Sequence, residues 1–149
     1  MRQELVMVAI VFYAGIPAYS AYAHHSHPYF YDECKRITIE GRVDTVEFKD
    51  PHTRIDLRLD DGTRYTVDWA PLSRLTNEGV IGPAKEALIL GARVAVTGNR
   101  IRPAAQIREH FPDFTSDVNP NTVDPISIRV GSSFSWALPS RTIEGAPLG

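Results

Sequence analysis

The side chains in this sequence best suited to chemistry are histidines gathered toward the amino end. Four of the five are His24, His25, His27 and His52, and the fifth is His110. Imidazole nitrogens bind divalent transition metals, and a planar nitrogen arrangement suits Cu(II), followed by Ni(II) or Zn(II). These first four histidines are our candidate metal ligands.

A processing signal decides which histidine comes first. Leu5 to Ala14 is an unbroken apolar run, and 17 of the first 23 residues are hydrophobic. Ala21-Tyr22-Ala23 then matches the A-x-A pattern that precedes a signal-peptidase cut. We therefore expect residues 1–23 to be a signal peptide and the protein to be periplasmic or secreted. The mature chain would begin at His24.

The alternative is that this segment stays as a membrane anchor. Leu5 to Ala23 carries no charge over 19 residues, about the length that spans a bilayer. The strongly apolar part is shorter, however, and Pro17 and Ser20 interrupt the second half. The pattern therefore favours cleavage.

A histidine at a mature amino terminus offers two nitrogen donors at once. Its α-amine has a pKa of about 7.7–8.0, so a metal can displace the proton at neutral pH. A second imidazole from His25, His27 or His52 would complete a T-shaped three-nitrogen site, called a histidine brace. Ser26 occupies the third mature position, so the common amino-terminal Cu/Ni motif is absent. His25 can still chelate through the amine, one amide and its ring.

The elements that must position these histidines are mostly β-strands. Apolar residues alternate in Arg36 to Phe48, but their phase slips between Val43 and Val46, which predicts a β-bulge, while Gly41 predicts a bend. Further alternating groups predict four more strands and a possible sixth: Ile55/Leu57/Leu59, Tyr65/Val67/Trp69, Ala92/Val94/Val96, Ile126/Ile128/Val130 and Phe134/Trp136/Leu138. Between the third and fourth strands, residues 72–87 lose this period and predict short helical turns.

This order predicts one small antiparallel barrel of the OB-fold type, with a helical insert after the third strand. A β-sandwich is the structural alternative. We assign residues 24–35 to a His-rich leading segment and 36–140 to the barrel. We expect residues 103–125, which contain four prolines, to form an irregular loop, and residues 141–149 to form a disordered tail.

The distance between the two ends of the first strand limits which histidines can meet. His52 follows the far end of that strand, which would be about 43 Å long if straight. The leading segment can extend about 40 Å. His24 therefore reaches His52 only if this segment runs back along the barrel, where Tyr29, Phe30 and Tyr31 could anchor it.

The sequence resembles an uncharacterised family of small exported bacterial proteins, a domain of unknown function. The matching features are Ala23-His24-His25-Ser26, Tyr31-Asp32, Thr38-Ile39-Glu40-Gly41-Arg42-Val43, Asp50-Pro51-His52 in place of an Asn-Pro-His turn, Trp69, and the Leu90-to-Gly98 strand entry. The resemblance covers about residues 23–98. It implies export and a small β-barrel, and it implies no activity.

Composition excludes several other functions. A net charge of −2 argues against a strongly basic nucleic-acid binder. The single cysteine, Cys34, excludes an internal disulfide and a multi-cysteine zinc site. Asp60-Asp61 fits a turn, and no serine has a G-x-S-x-G setting. We therefore predict no catalytic residue and a non-enzymatic protein. An oxidative copper enzyme would also need a substrate surface, which the sequence does not indicate.

Two functions remain open. The first is a periplasmic binding module that holds Cu(II), or Ni(II) or Zn(II), through His24 and a second histidine. The second is a structural or interaction module without metal, whose outer strand or residues 103–125 dock a periplasmic or membrane protein.

Overall fold

The computed structural model of the protein describes residues 27–138. The expected signal peptide, His24, His25 and the expected tail at residues 141–149 lie outside this range. In chain order the elements are α1 (His27–Phe30), β1 (Tyr31–Glu47), β2 (Arg54–Arg58), β3 (Arg64–Asp68), α2 (Leu72–Asn77), α3 (Ile81–Ala87), β4 (Arg93–Ile101), α4 (Ala104–His110), β5 (Thr122–Val130) and β6 (Phe134–Ala137).

The strands form one sheet that closes on itself. Their order is β3-β2-β1-β4-β5-β6, and an additional pairing joins β3 to β5. That pairing is parallel, with Thr66 opposite Thr122 and Val67 opposite Val123, whereas the other pairs are antiparallel. With α2 and α3 inserted after β3, this confirms the predicted OB-fold-like barrel over the β-sandwich.

The bend in β1 has the causes that the sequence predicted. The register against β2 shifts between Val43 and Thr45, where the apolar phase slips. Nearby, a Cβ on Gly41 would lie 2.9 Å from the carbonyl oxygen of Arg58. Because real Cβ atoms do not approach so closely, glycine allows the two backbones to cross here.

Two segments differ from the prediction. β1 begins at Tyr31 rather than at Arg36, with a second register shift against β4 between Asp32 and Arg36. The residues between them are polar and mostly exposed, so alternation could not reveal this part of the strand. Residues 103–125 are likewise more regular than expected, since they contain α4 and the start of β5.

The main core fills the barrel and includes both tryptophans, as predicted. Trp69 and Trp136 meet edge to face with ring centroids 5.2 Å apart. Both are almost fully buried among apolar residues of the strands and of α2 and α3. Core packing therefore accounts for these two aromatic side chains.

Gly98 is required where β4 meets β5. It pairs with Pro125 at a register shift, and an added Cβ would overlap the carbonyl oxygen of Asp124. We expect Gly98→Ala to lower the free energy of unfolding by about 1–3 kcal/mol, measured by urea denaturation, because a strand must move. Gly82 in α3 has no heavy atom within 4 Å of such a Cβ. Gly82→Ala should therefore stabilise the protein by about 0.5–1 kcal/mol. Equal stability of Gly98→Ala and the wild type would contradict the close approach.

Candidate metal centre

The curvature of β1 brings its two ends to the same edge of the barrel. At the beginning of β1, the Tyr31 hydroxyl donates a hydrogen bond to Asp68 Oδ2 at 3.0 Å. Asp68 ends β3, and its Oδ1 lies 4.0 Å from Nδ1 of His52, which follows the far end of β1. The expectation that the leading segment must run back along a long strand is therefore wrong: β1 itself turns back.

His52 is held in an orientation that suits a metal ligand. Its Nδ1 lies 3.3 Å from the carbonyl oxygen of Trp69. A carbonyl oxygen only accepts, so Nδ1 carries a proton, and in the neutral ring Nε2 then holds the lone pair. Two backbone hydrogen bonds fix the loop, from Thr53 to Ala70 at 3.1 Å and from Trp69 to Thr53 at 2.8 Å. The His52 side chain is 52% exposed, so solvent reaches the ring.

His27 is held quite differently. Its Nε2 lies 2.9 Å from Asp124 Oδ2, and its Nδ1 lies 3.9 Å from Glu33 Oε1. The hydrogen bond to Asp124 raises the pKa of His27, against burial, and the charges of Asp124 and Glu33 add to the rise. With carboxylates facing both nitrogens, the protonated ring is favoured. In its protonated form the His27 ring has no free lone pair for a metal.

The side chains between these two histidines form a continuous contact path. The His27 ring stacks on Tyr31, with ring centroids 5.0 Å apart and planes 26° apart. Burial, followed by the charge and hydrogen bond of Asp68, raises the pKa of Tyr31 far above its ordinary value, so the phenol stays protonated. The path from His27 to His52 thus passes only through Tyr31 and Asp68.

Sequence reasoning missed the roles of Asp68 and Asp124. Both lie in strands at polar positions flanked by apolar residues, a pattern typical of a solvated strand face. Asp68 is in fact largely buried, and its Oδ1 has no hydrogen-bond partner among residues 27–138. One sequence feature indicated this burial. Asp68 directly precedes Trp69, near the end of a predicted strand.

Residues on both sides of α4 fasten α1 to the rest of the protein. The backbone nitrogen of Arg102 donates to the Phe30 carbonyl at 2.7 Å, and its Nε donates to the Pro28 carbonyl at 3.1 Å. The Phe30 ring stacks on Phe111 at 5.3 Å and meets Phe114 edge to face at 5.7 Å. The expected anchors were Tyr29, Phe30 and Tyr31. Tyr29 and Phe30 pack against Phe111 in the segment after β4, a partner that the sequence did not reveal.

The described part of the chain does not form a complete metal site. Within residues 27–138, no group of three or more His, Cys, Asp or Glu side chains is arranged to hold a metal ion. His110 lies apart, against Tyr29 at a centroid distance of 4.5 Å, and Cys34 is exposed. Of the four candidate ligands, the structure brings His27 and His52 to one edge, whereas His24 and His25 fall outside the described range. In residues 27–138, no helix is long and apolar enough to cross a bilayer.

The fold and this edge define a small OB-fold-like barrel that carries histidines where its first strand begins and ends. A model described as a family of unknown function, DUF6152, matches residues 14–107, and the chain belongs to that family. No curated protein matches it. A small single-stranded DNA-binding protein from Streptomyces coelicolor is similar at a TM-score of 0.37 and 16% identity, over 66% of this chain and 94% of that chain. That level of similarity carries no argument about a ligand.

Removing the Tyr31 hydroxyl tests the contact that joins the ends of β1. We expect Tyr31→Phe to lower the free energy of unfolding by about 1–3 kcal/mol, because it leaves a largely buried Asp68 carboxylate without its hydrogen bond. Tyr29→Phe is the matched control, since the Tyr29 side chain is 41% exposed, and its effect should stay within about 0.5 kcal/mol. Urea denaturation at pH 7 measures both. Equal effects of the two variants would contradict the role of Tyr31.

The ion pair between His27 and Asp124 predicts a pH dependence of stability. Because the folded-state pKa of His27 is raised above 6.5, the pair contributes fully below that pH while Asp124 is ionised, and its contribution disappears as pH rises through the raised value. The stability difference between wild type and His27→Gln should therefore be larger at pH 5.5 than at pH 9. Urea denaturation across this range measures it, with His110→Gln as control. If this stability difference instead grew with pH, it would contradict the raised pKa of His27.

Proposed function

We propose that the protein is an exported binding module that holds Cu(II), or Ni(II) or Zn(II), at this edge of the barrel. His24, as the first mature residue, would supply its α-amine and ring. His52 would supply Nε2 as the third nitrogen. The observation that carries the proposal is the hydrogen bond between His52 Nδ1 and the Trp69 carbonyl, which leaves Nε2 free and oriented.

The location of α1 supports this donor set. Three residues separate His24 from His27, a reach of about 10–11 Å when extended. His27 is already fastened at the edge that carries His52, by way of Tyr31 and Asp68. The amino terminus therefore need not travel along the barrel to approach His52.

The surroundings of His52 support a cation ligand. Metal-bound histidines commonly donate their other ring nitrogen to a carbonyl or carboxylate, which fixes the tautomer. Trp69 provides the carbonyl, and Asp68 places a carboxylate 4.0 Å from the same ring nitrogen. The Asp68 carboxylate also places a negative charge close to the His52 ring, which favours a positive ion.

Copper titration of the correctly processed protein tests the proposal. A chain that begins at His24 should bind one Cu(II) with three nitrogen ligands, counted by electron paramagnetic resonance. A Met placed before His24, or His24→Ala, should abolish tight binding. His52→Gln should remove one nitrogen and weaken binding at least about 100-fold. His110→Gln is the control and should bind like wild type.

Two outcomes would change this assignment. If the Met-extended protein binds copper as tightly as the processed one, the amino-terminal site is wrong. If His52→Gln keeps three nitrogens while the Met-extended protein loses them, the ring comes from His25, which can chelate together with the amine and one amide.

The alternative of a metal-free interaction module is favoured by one exposed apolar pair. Ile89 and Leu90, between α3 and β4, are 60% and 78% exposed. Residues 103–125 are less suited to docking than the sequence suggested, since α4 anchors α1 and β5 belongs to the barrel. The copper titration separates the two functions, because the alternative predicts no dependence of metal binding on a free His24 amine.

A further inference from the structure

Four arginines lie side by side across four adjacent strands of the barrel. Arg58 of β2 pairs with Arg64 of β3 on one side and with Arg42 of β1 on the other, and Arg42 pairs in turn with Arg93 of β4. Residues directly opposite each other on neighbouring strands share a face, and all four are exposed. Like charges placed opposite one another destabilise a sheet, so stability does not explain this arginine row.

Nearby carboxylates pair with two members of the arginine row. Arg58 Nε donates to both carboxylate oxygens of Asp44, at 3.1 Å each. Arg93 Nη2 lies 3.3 Å from Asp60 Oδ2 and 3.6 Å from Glu40 Oε2. The charges of Arg58 and Arg93 are therefore compensated within the protein.

The other two arginines of the row have no such partner. Within residues 27–138, neither Arg42 nor Arg64 lies within ion-pair distance of a carboxylate, and Arg42 donates only to the Gly91 carbonyl, at 3.2 Å. Asp61, in the adjoining turn, accepts a hydrogen bond from the backbone of Thr63 at 2.8 Å. Two uncompensated guanidinium groups thus flank the β2 arginine, where they can contact an anion.

An apolar tip adjoins the arginine row. It consists of Ile89 and Leu90, which are 60% and 78% exposed and are the two most exposed large hydrophobic side chains in the described part of the chain. The loop that carries them is fixed to β1, because the backbone nitrogen of Gly91 donates to the Val43 carbonyl at 2.8 Å. The tip is therefore held in place while it remains in water.

The tip and the row meet in one groove. Its volume is about 280 Å³, and its lining includes Leu59 and Leu90 together with Arg42 and Arg58. Apolar side chains and an uncompensated guanidinium group therefore face the same space. An amphiphile with an anionic head would satisfy both, because its chain covers the leucines and its head pairs with the arginine.

We propose that this end of the barrel docks on a bilayer that contains anionic phospholipids. Ile89 and Leu90 enter the boundary between headgroups and acyl chains, while Arg42 and Arg64 contact headgroup phosphates. Exposed apolar residues and adjacent arginines are the combination by which peripheral proteins bind such surfaces. The docking surface lies at the opposite end of β2 from His52, so it does not depend on the proposed metal site.

Other occupants fit this surface less well. Strands β2, β1 and β4 each have neighbours on both sides, so no peptide can add to them as a further strand. The neighbours of the row on the outer face cannot stack on nucleic-acid bases: Glu40, Asp44, Asp56, Thr66 and Ala95. Two exposed apolar side chains are also far less than the roughly 800 Å² per partner of a stable protein interface.

Vesicle co-sedimentation tests the proposal, with the chain that begins at His24 and a chelator present to exclude metal. Residues 1–23 are omitted because their apolar run would itself bind lipid. Wild type should bind vesicles made of equal parts phosphatidylcholine and phosphatidylglycerol about 20-fold more tightly than phosphatidylcholine alone. Arg42→Gln and Arg64→Gln should each weaken binding to the anionic vesicles about 5-fold, with no effect on neutral ones. Leu90→Ser should weaken binding to both by at least about 10-fold.

The matched control is Arg129→Gln, which removes an exposed strand arginine outside the row and should bind like wild type. Urea denaturation checks that each variant is folded. Equal binding to both kinds of vesicle, or an equal loss in Arg129→Gln and Arg42→Gln, would overturn the proposal. Binding of inorganic phosphate without binding to vesicles would also overturn it, since the row would then serve a soluble anion. None of these results bears on the copper titration, so the two proposals fail separately.

Discussion

The hydrogen bond between Tyr31 and Asp68 is the contact on which this arrangement depends, because it joins the beginning of β1 to the end of β3. A straight strand of 17 residues would hold its ends about 55 Å apart. The bend at Gly41 and two register shifts turn β1 around the barrel instead. As a result, His27 and His52 come to one edge of the barrel, although they are far apart in sequence and flank β1.

The same closure explains the segment that follows β4. A helix of four residues, such as α1, has no stability of its own, because helix nucleation is unfavourable. It exists because Arg102 donates hydrogen bonds to its carbonyls, and because Phe30 packs on Phe111. The proline-rich composition after β4 suggested an irregular loop. The structure shows an additional packing layer, which fastens α1 to the barrel.

The barrel was largely predictable from the sequence, because apolar alternation reports burial directly. The phase slip after Val43 even predicted the bulge, and the helical turns expected in residues 72–87 are present as α2 and α3. The start of β1 and the roles of Asp68 and Asp124 were not predictable. Polar residues in strands give the same pattern whether they face water or face one another across a closed barrel, and only the curvature of β1 decides which occurs.

The two histidines at this edge show how a hydrogen-bond partner determines what an imidazole can do. His52 donates a hydrogen bond from Nδ1 to a carbonyl, so Nε2 carries the lone pair whenever the ring is neutral. A carboxylate favours the charged ring of His27, which has no lone pair. The identical side chains therefore divide into a ligand-competent one and a cationic anchor.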